Sequence, residues 1–402
     1  MNKKNTDNSY FCSAPWTTTC IDPEGAVVPC SIYRKEFENN DFDQPLHKNL
    51  LNSTFEEAFN SSTMKNLRKE MMSNKRPSGC SSCHAMKRTG EWTYKQFMLD
   101  NFEAQDALKN YNTNTGEITN PSIEFIDMSL TNRCNLKCRM CAPTFSSGLT
   151  KEMNKFNNIS YKGDNHISLQ IPQEHLFNPN LKLLKLQGGE PLLDKNLIDT
   201  LSLLIEHEIA PNLELHIFTN LTLITIKHLE LLSHFKKVDL FCSTDGWGSV
   251  NEYIRYPSKW TQLYKKIELV NIFSKDHPNI KLGINTVIQI YNIYHMPDFI
   301  KNLWDKFNIT AHFQLLYSPS YLSIKILPLD EKLRIKKIFE HFLSNEDYSA
   351  SSSYLSTTLT HMMEEDLSHL SKEFIRFTHF FDKSREQKIL NACPELKFFF
   401  ND

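Results

Sequence analysis

The sequence predicts an α/β protein: six strand–helix units around a parallel sheet, with a small cysteine-rich α+β segment before them and helices after them. Three observations carry this. From residue 123 onward, short strand-like runs alternate with helical ones, the pattern of βα units. Five cysteines lie in the first 83 residues, around turn signals and short helical stretches. After Tyr317 the periodicity is helical throughout. The three parts are expected at 10–111, 120–320 and 321–402.

Taken in order, residues 1–9 are polar and read as a loose terminus. Asp22-Pro23-Glu24-Gly25 between two β-leaning runs predicts a hairpin that carries Cys12 and Cys30 to the same end. Residues 34–49 read as a polar loop. Thr54-Phe55-Glu56-Glu57 is a capping-box pattern, and Phe55, Phe59 and Leu67 suit one face of a helix reaching Ser73. Pro77-Ser78-Gly79 stops it ahead of Cys80-Ser81-Ser82-Cys83. A further helix is expected over 93–111, and Asn112-Thr113-Asn114-Thr115-Gly116 marks a boundary. Strands are then expected at Ile123–Leu130, Leu181–Leu186, Leu213–Thr219, Val238–Ser243, Ile280–Ile288 and Ala311–Leu316, with helices between. The terminal part reads as helices at Pro328–Leu343 and about 353–381, joined by a serine linker at 349–353, with Pro394 opening a last helical turn.

Composition excludes several function classes. A hydrophobic content of 40% and 23% charged residues belong to a globular protein. A net charge of −2 creates no field that draws in a large nucleic acid or an anionic membrane. No apolar run approaches the ~20 residues that span a bilayer. The start, MNKKNTDNSYF, has no apolar signal core, so a cytoplasmic setting is expected. There, ten cysteines point to metal or redox chemistry rather than disulfides.

The centre of the chemistry is Cys134-Asn135-Leu136-Lys137-Cys138-Arg139-Met140-Cys141, directly after the first core strand. One short loop brings three sulfurs to a point, which suits a soft metal. Three ligands leave one iron of a four-iron cubane without a protein ligand, an open binding position. A zinc site or a disulfide pair is the competing reading of three close cysteines.

This C-x3-C-x2-C loop resembles that of the radical S-adenosylmethionine (SAM) superfamily, although Met140 stands where that family usually has an aromatic residue. The resemblance implies a partial (β/α)6 TIM-like barrel in which Cys134, Cys138 and Cys141 hold a [4Fe–4S] cluster. It implies a reaction in which the cluster's open iron chelates SAM and one electron cleaves it to a 5′-deoxyadenosyl radical that abstracts a substrate hydrogen. The electron would come from a donor such as flavodoxin or ferredoxin.

Further motifs fall where parallel barrels keep their chemistry, at the carboxyl ends of strands. Gly188-Gly189-Glu190-Pro191 ends the second core strand, and in the family this G-G-E-P binds the SAM amino group. A simple glycine turn is the bland alternative. Asn220 follows the third strand, with Leu221 where the family commonly has glycine; turn chemistry explains it equally well. Ser243 and Asp245 follow the fourth, placed by resemblance to meet the SAM ribose or carboxylate. Arg255 is a candidate carboxylate contact, with a surface ion pair as the alternative. Asn285, on the fifth strand, would face inward toward the adenosine, or toward a neighbouring strand.

The N-terminal pattern Cys12, Gly25, Cys30, Cys80, Cys83 is similar to a twitch domain, the short relative of the SPASM domain. It implies an auxiliary iron–sulfur cluster, expected as [4Fe–4S]; four thiolates also suit a structural zinc site. Cys20 and Cys242 read as packed thiols, and His361, His369 and His379 as packed or solvated. The substrate class left open is a peptide, a protein side chain or a small molecule. The basic stretch 64–95 could dock an acidic peptide or simply be a solvated face. A non-catalytic iron–sulfur or zinc protein using the barrel as a binding module is the reading from another class.

Overall fold

A computed structural model of the 402-residue chain describes residues 10–33, 49–50, 52–89, 93–157, 173–344, 348 and 351–400. The termini expected to be loose (1–9), nearly all of the 34–49 loop and part of the 349–353 linker lie outside these residues.

Among the described residues, eight strands form one sheet in the order β2-β1-β3-β4-β5-β6-β7-β8. They are β1 Thr18–Ile21, β2 Val27–Val28, β3 Phe125–Thr131, β4 Leu183–Gly188, β5 Glu214–Thr219, β6 Lys237–Ser243, β7 Ile280–Ile288 and β8 Ala311–Leu315. Six strand expectations are met by β3 to β8, all paired in parallel in sequence order. Helices such as Lys195–Glu206, Ile226–Leu232 and Met296–Phe307 return the chain between strands. This is the partial (β/α)6 barrel, since each crossover must pack an apolar helix face on the sheet. Leu215, Ile217, Leu240 and Cys242 are fully buried on the helix side. On the concave side of β5 and β6, His216, Phe218, Asp239, Phe241 and Ser243 are half-buried.

The hairpin at the N-terminus forms as expected. Asp22 builds its turn by accepting from the backbone N–H groups of Glu24 and Ala26, each at 2.9 Å. Its strands, however, extend the barrel sheet: β1 runs parallel to β3, with Thr18 opposite Phe125 and Ile21 opposite Met128. All four residues of β1 are buried, so a hairpin standing alone would have left them wet. The cysteine-rich segment thus shares the barrel's sheet.

Three expected helices are each two. The 54–73 stretch divides into Phe55–Phe59, with its capping box at Thr54, and Ser62–Met72, capped by Ser61. The break lets Asn60 donate to the Ile118 carbonyl while its side-chain oxygen accepts from Arg68 and the Ile118 N–H. The 93–111 stretch divides into Tyr94–Asn101 and Gln105–Lys109, because Phe102 leaves helical geometry to stack on Phe125 of β3 at 5.3 Å. The 353–381 stretch divides into Ser352–Met363 and Ser371–Arg385, with Asp366 capping the turn between them through the Ser368 N–H.

The helix Tyr94–Asn101 covers the concave side of the sheet at β3, where Phe97 meets Phe125 and His216. Every residue of β3 is consequently buried.

Candidate functional site

The cysteine loop leaves the carboxyl end of β3 and is held from three sides. Lys137 N–H donates to the Tyr256 carbonyl at 2.6 Å and Arg139 N–H to the Ile254 carbonyl at 2.9 Å. Ser146 Oγ donates to the Leu136 carbonyl at 3.0 Å. Cys138 is buried, while Cys134 and Cys141 are half-buried.

Gly188, Gly189, Glu190 and Pro191 press against the start of this loop. Gly189 N–H donates to the Thr131 carbonyl at 2.6 Å and Glu190 N–H to the Arg133 carbonyl at 2.8 Å. Gly188 has φ +125°, and a Cβ there would sit 2.5 Å from the Thr131 carbonyl oxygen; at Gly189 it would sit 2.1 Å from that of Arg133. What these glycines admit closely is therefore the cysteine loop's own backbone. Glu190 is fully buried. It accepts from Thr219 Oγ1 at 2.6 Å, Asn220 N–H at 2.7 Å and Leu192 N–H at 3.1 Å. Burial pushes its carboxyl up to about 7, against the lowering effect of those three donors. Glu190 thus ties the ends of β4 and β5 together.

Asn220 donates to Asn135 Oδ1 at 2.8 Å and points its amide at Cys134 Sγ, 3.9 Å away. The following Leu221 has φ +61° and is fully buried. The backbone keeps the left-handed turn that glycine would favour, with a packed leucine in its place.

Asp245 is fully buried, with one oxygen 2.7 Å from Arg255 Nε and the other accepting from Val287 N–H at 2.8 Å. Arg255 is buried too, so the ion pair weighed as its alternative role is an interior one and not a surface one; its Nη1 lies 3.9 Å from Cys138 Sγ. Ser243 sits half-buried at the end of β6, opposite Asn285 of β7. Asn285 is 8% exposed and, among the described residues, its side-chain oxygen has no hydrogen-bond partner.

The second cysteine set surrounds a cavity of about 540 Å³ between the hairpin and the helix Ser81–Thr89. Cys12, Cys30, Cys80 and Cys83 all line it, with Tyr33, Tyr94 and Lys95 among their neighbours. Burial pushes the Cys12 and Cys80 thiols up to about 12, and nearby thiols add to this at both. The buried Cys20 is not in the cavity wall, consistent with a packed thiol. Cys242 is fully buried and shares a contact with Thr244 Oγ1.

Both cysteine sets fit iron–sulfur clusters. Their donors are all sulfur, and burial raises every one of the seven thiols, so an internal cation must accompany ionisation. Among the described residues, no three His, Cys, Asp or Glu side chains converge closely enough to grip one metal ion.

A profile described as the Radical SAM superfamily matches residues 128–286, spanning the cysteine loop, the GGEP turn and Asn285. Residues 128–286 are a radical SAM domain. A second profile, SPASM, described as an iron–sulfur cluster-binding domain, matches residues 12–84 and includes Cys12, Cys30, Cys80 and Cys83. Iron–sulfur clusters and SAM are accordingly the cofactors that these two domains imply. No curated protein matches the sequence. Similar solved structures include anSMEcpe with bound AdoMet, at 19% identity and TM-score 0.41 over 57% of this chain and 59% of that one. Another is anSMEcpe with AdoMet and the Cp18Cys peptide, at 18% identity and TM-score 0.40 over 57% and 61%. A third is SuiB of Streptococcus suis bound to the precursor peptide SuiA, at 17% identity and TM-score 0.36 over 76% and 55%. The chain spans about three fifths of the length of the anSMEcpe chains.

Sequence reasoning missed three buried or bridging polar groups. Arg139, between the second and third cysteines, is a buried anchor. Thr219 holds Glu190. Asp127 of β3 is buried in the barrel, paired with Lys185 at 2.9 Å and Gln187 at 2.8 Å. A charge inside an otherwise apolar strand run was the signal for Asp127. No helix among the described residues is long and apolar enough to cross a membrane. The basic 64–95 stretch loses two members as a dock: Arg68 is buried against backbone carbonyls, and Lys65 pairs with Glu117.

Proposed function

We propose that this chain is an enzyme that reductively cleaves SAM at the barrel mouth and uses the resulting radical to take a hydrogen from a peptide, protein or small-molecule substrate. The observation that carries the reading is the joining of two motifs: the three-thiol loop after β3 and the GGEP turn after β4 share backbone hydrogen bonds at 2.6 and 2.8 Å. Cys134, Cys138 and Cys141 would hold the catalytic [4Fe–4S] cluster, and Cys12, Cys30, Cys80 and Cys83 the auxiliary one. When bound, the catalytic cluster supplies the electron that cleaves SAM.

The chain's own residues do the positioning. Gly188 and Gly189 set the backbone that receives the methionine end of SAM, and Glu190 holds that turn while offering its remaining acceptor position. Ser243 and the unpaired oxygen of Asn285 would meet the nucleoside end. Asn220 and Arg255 point N–H groups at cysteine sulfurs, which favours the thiolate form. The concave face offers a substrate both polar and aromatic contacts, from Lys185, Gln187, Phe218 and Phe241.

The test replaces Cys134, Cys138 and Cys141 together with Ala and measures iron, sulfide and 5′-deoxyadenosine after anaerobic reconstitution. Loss of about four irons with loss of 5′-deoxyadenosine is expected, the auxiliary absorbance remaining. A wild-type chain that binds iron yet releases no 5′-deoxyadenosine under reduction would favour the non-catalytic binding module.

A further inference from the structure

The two residues flanking Cys138 are linked to one helix of the C-terminal extension, Ser371–Arg385, more than 230 residues further along the chain, Arg139 directly and Lys137 through Glu152. Arg139 is 1% exposed. Its Nε donates to the Tyr253 carbonyl at 3.0 Å, and its Nη2 donates to Asp382 Oδ1 at 2.7 Å and to Gln387 Oε1 at 3.0 Å. The guanidinium lies 3.8 Å from the centre of the Tyr253 ring. Asp382 accepts from Tyr253 Oη at 2.7 Å as well, and its second oxygen accepts from Ile389 N–H at 2.8 Å. On the other side of Cys138, Lys137 Nζ reaches Glu152 Oε1 at 3.1 Å, and Arg385 closes on Glu152 Oε2 at 2.6 Å.

We infer that the helix Ser371–Arg385 is part of the catalytic-cluster cradle, with Asp382 a positioning residue that fixes the Cys138–Cys141 segment through Arg139. The inference rests on the radical SAM reading of the three cysteines. The physical argument is one of geometry and charge. A tripeptide step between two ligands has few internal restraints, and a loop that must hold two sulfurs in register gains them from outside. Arg139 cannot serve as a free surface cation, because its partners are all inside. Asp382 is its carboxylate counter-charge at 2.7 Å, so the segment carrying Cys138 and Cys141 is placed by a residue of the terminal extension. The extension is thereby a working part of the site rather than an appendage to the barrel.

The test compares the full-length wild type with Asp382→Asn and with the paired variant Arg139→Met/Asp382→Met, all reconstituted anaerobically. Two readouts are taken: the rate of iron release to a chelator, and the electron paramagnetic resonance spectrum of the reduced catalytic cluster, with the auxiliary signal as internal reference. The single variant is expected to release the catalytic cluster's iron about tenfold faster, with an altered signal from the cluster that remains, while the auxiliary cluster is unchanged. The paired variant leaves no buried charge alone, so it keeps the fold if the single variant does not, and should show the same spectral change. Wild-type release and wild-type spectrum in whichever variant folds would overturn the inference. A wild type that holds both clusters but shows no spectral response to SAM would overturn the proposed reaction instead, and the iron-release comparison would still decide the role of Asp382.

Discussion

The Arg255 guanidinium lies 2.7 Å from the Asp245 carboxylate, with both side chains buried and with Cys138 Sγ 3.9 Å from another nitrogen of the same arginine. The end of β6, the turn after it and the cysteine loop are thus held by one ion pair. Removing one partner strands a buried charge, which costs about 3–5 kcal/mol. Arg255→Met and Asp245→Asn should each lower stability by about that amount, and the double variant should lose less than the sum. Denaturant unfolding of the three proteins checks this; additive losses would mean the two residues act independently.

Glu190→Ala leaves three donors without an acceptor: the Thr219 hydroxyl and the N–H groups of Asn220 and Leu192. At about 1–3 kcal/mol for each buried group, a stability loss of about 3 kcal/mol or more is expected. SAM affinity should fall with it, because the turn proposed to receive SAM is no longer held. Lowered stability with unchanged SAM titration would make the GGEP turn purely architectural.

Gly189→Ala places a methyl 2.1 Å from the Arg133 carbonyl oxygen, so the start of the cysteine loop must move. A cost of about 1–3 kcal/mol is expected. Iron held at Cys134, Cys138 and Cys141 should fall while that at Cys12, Cys30, Cys80 and Cys83 stays full. Iron counts in this variant, compared with the triple cysteine variant, read the effect directly.

His361 supplies a pH dependence. Burial pushes its imidazole down to about 4 from an ordinary 6.5, with Lys325 adding to the shift and Glu364 opposing it. Between those values the unfolded chain binds a proton that the folded chain refuses, so this residue makes stability fall as pH drops from 6.5 toward 4 and contributes nothing above 6.5. His361→Phe should therefore narrow the gap in unfolding midpoint between about pH 5 and about pH 7.5. An unchanged gap would locate the acid sensitivity elsewhere.

Much of the site was legible in order along the chain. The strands β3 to β8 announce themselves because each is a short apolar-rich run between helical stretches, and the parallel connection then leaves little choice of topology. The glycine pair at 188–189 and Leu221 were visible as turn positions, but their neighbours were not. A turn's backbone angles are local, whereas the approach to Arg133 comes from a segment more than fifty residues earlier. Arg255 shows the same limit from the other side. Its sequence context could not distinguish surface from interior, since that depends on whether Asp245 faces it.

The sequence by itself determined the alternation of strands and helices, the two cysteine sets and the polar groups at strand ends, because periodicity, turn chemistry and ligand spacing are local properties. Only the tertiary structure decided that the hairpin adds to the barrel sheet, that Glu190 and Asp245 are held by the chain's own donors, and that Arg139 reaches Asp382. Each of these joins residues far apart in sequence, and whether two distant groups meet is set by how apolar faces stack and which buried charges find a counter-charge there.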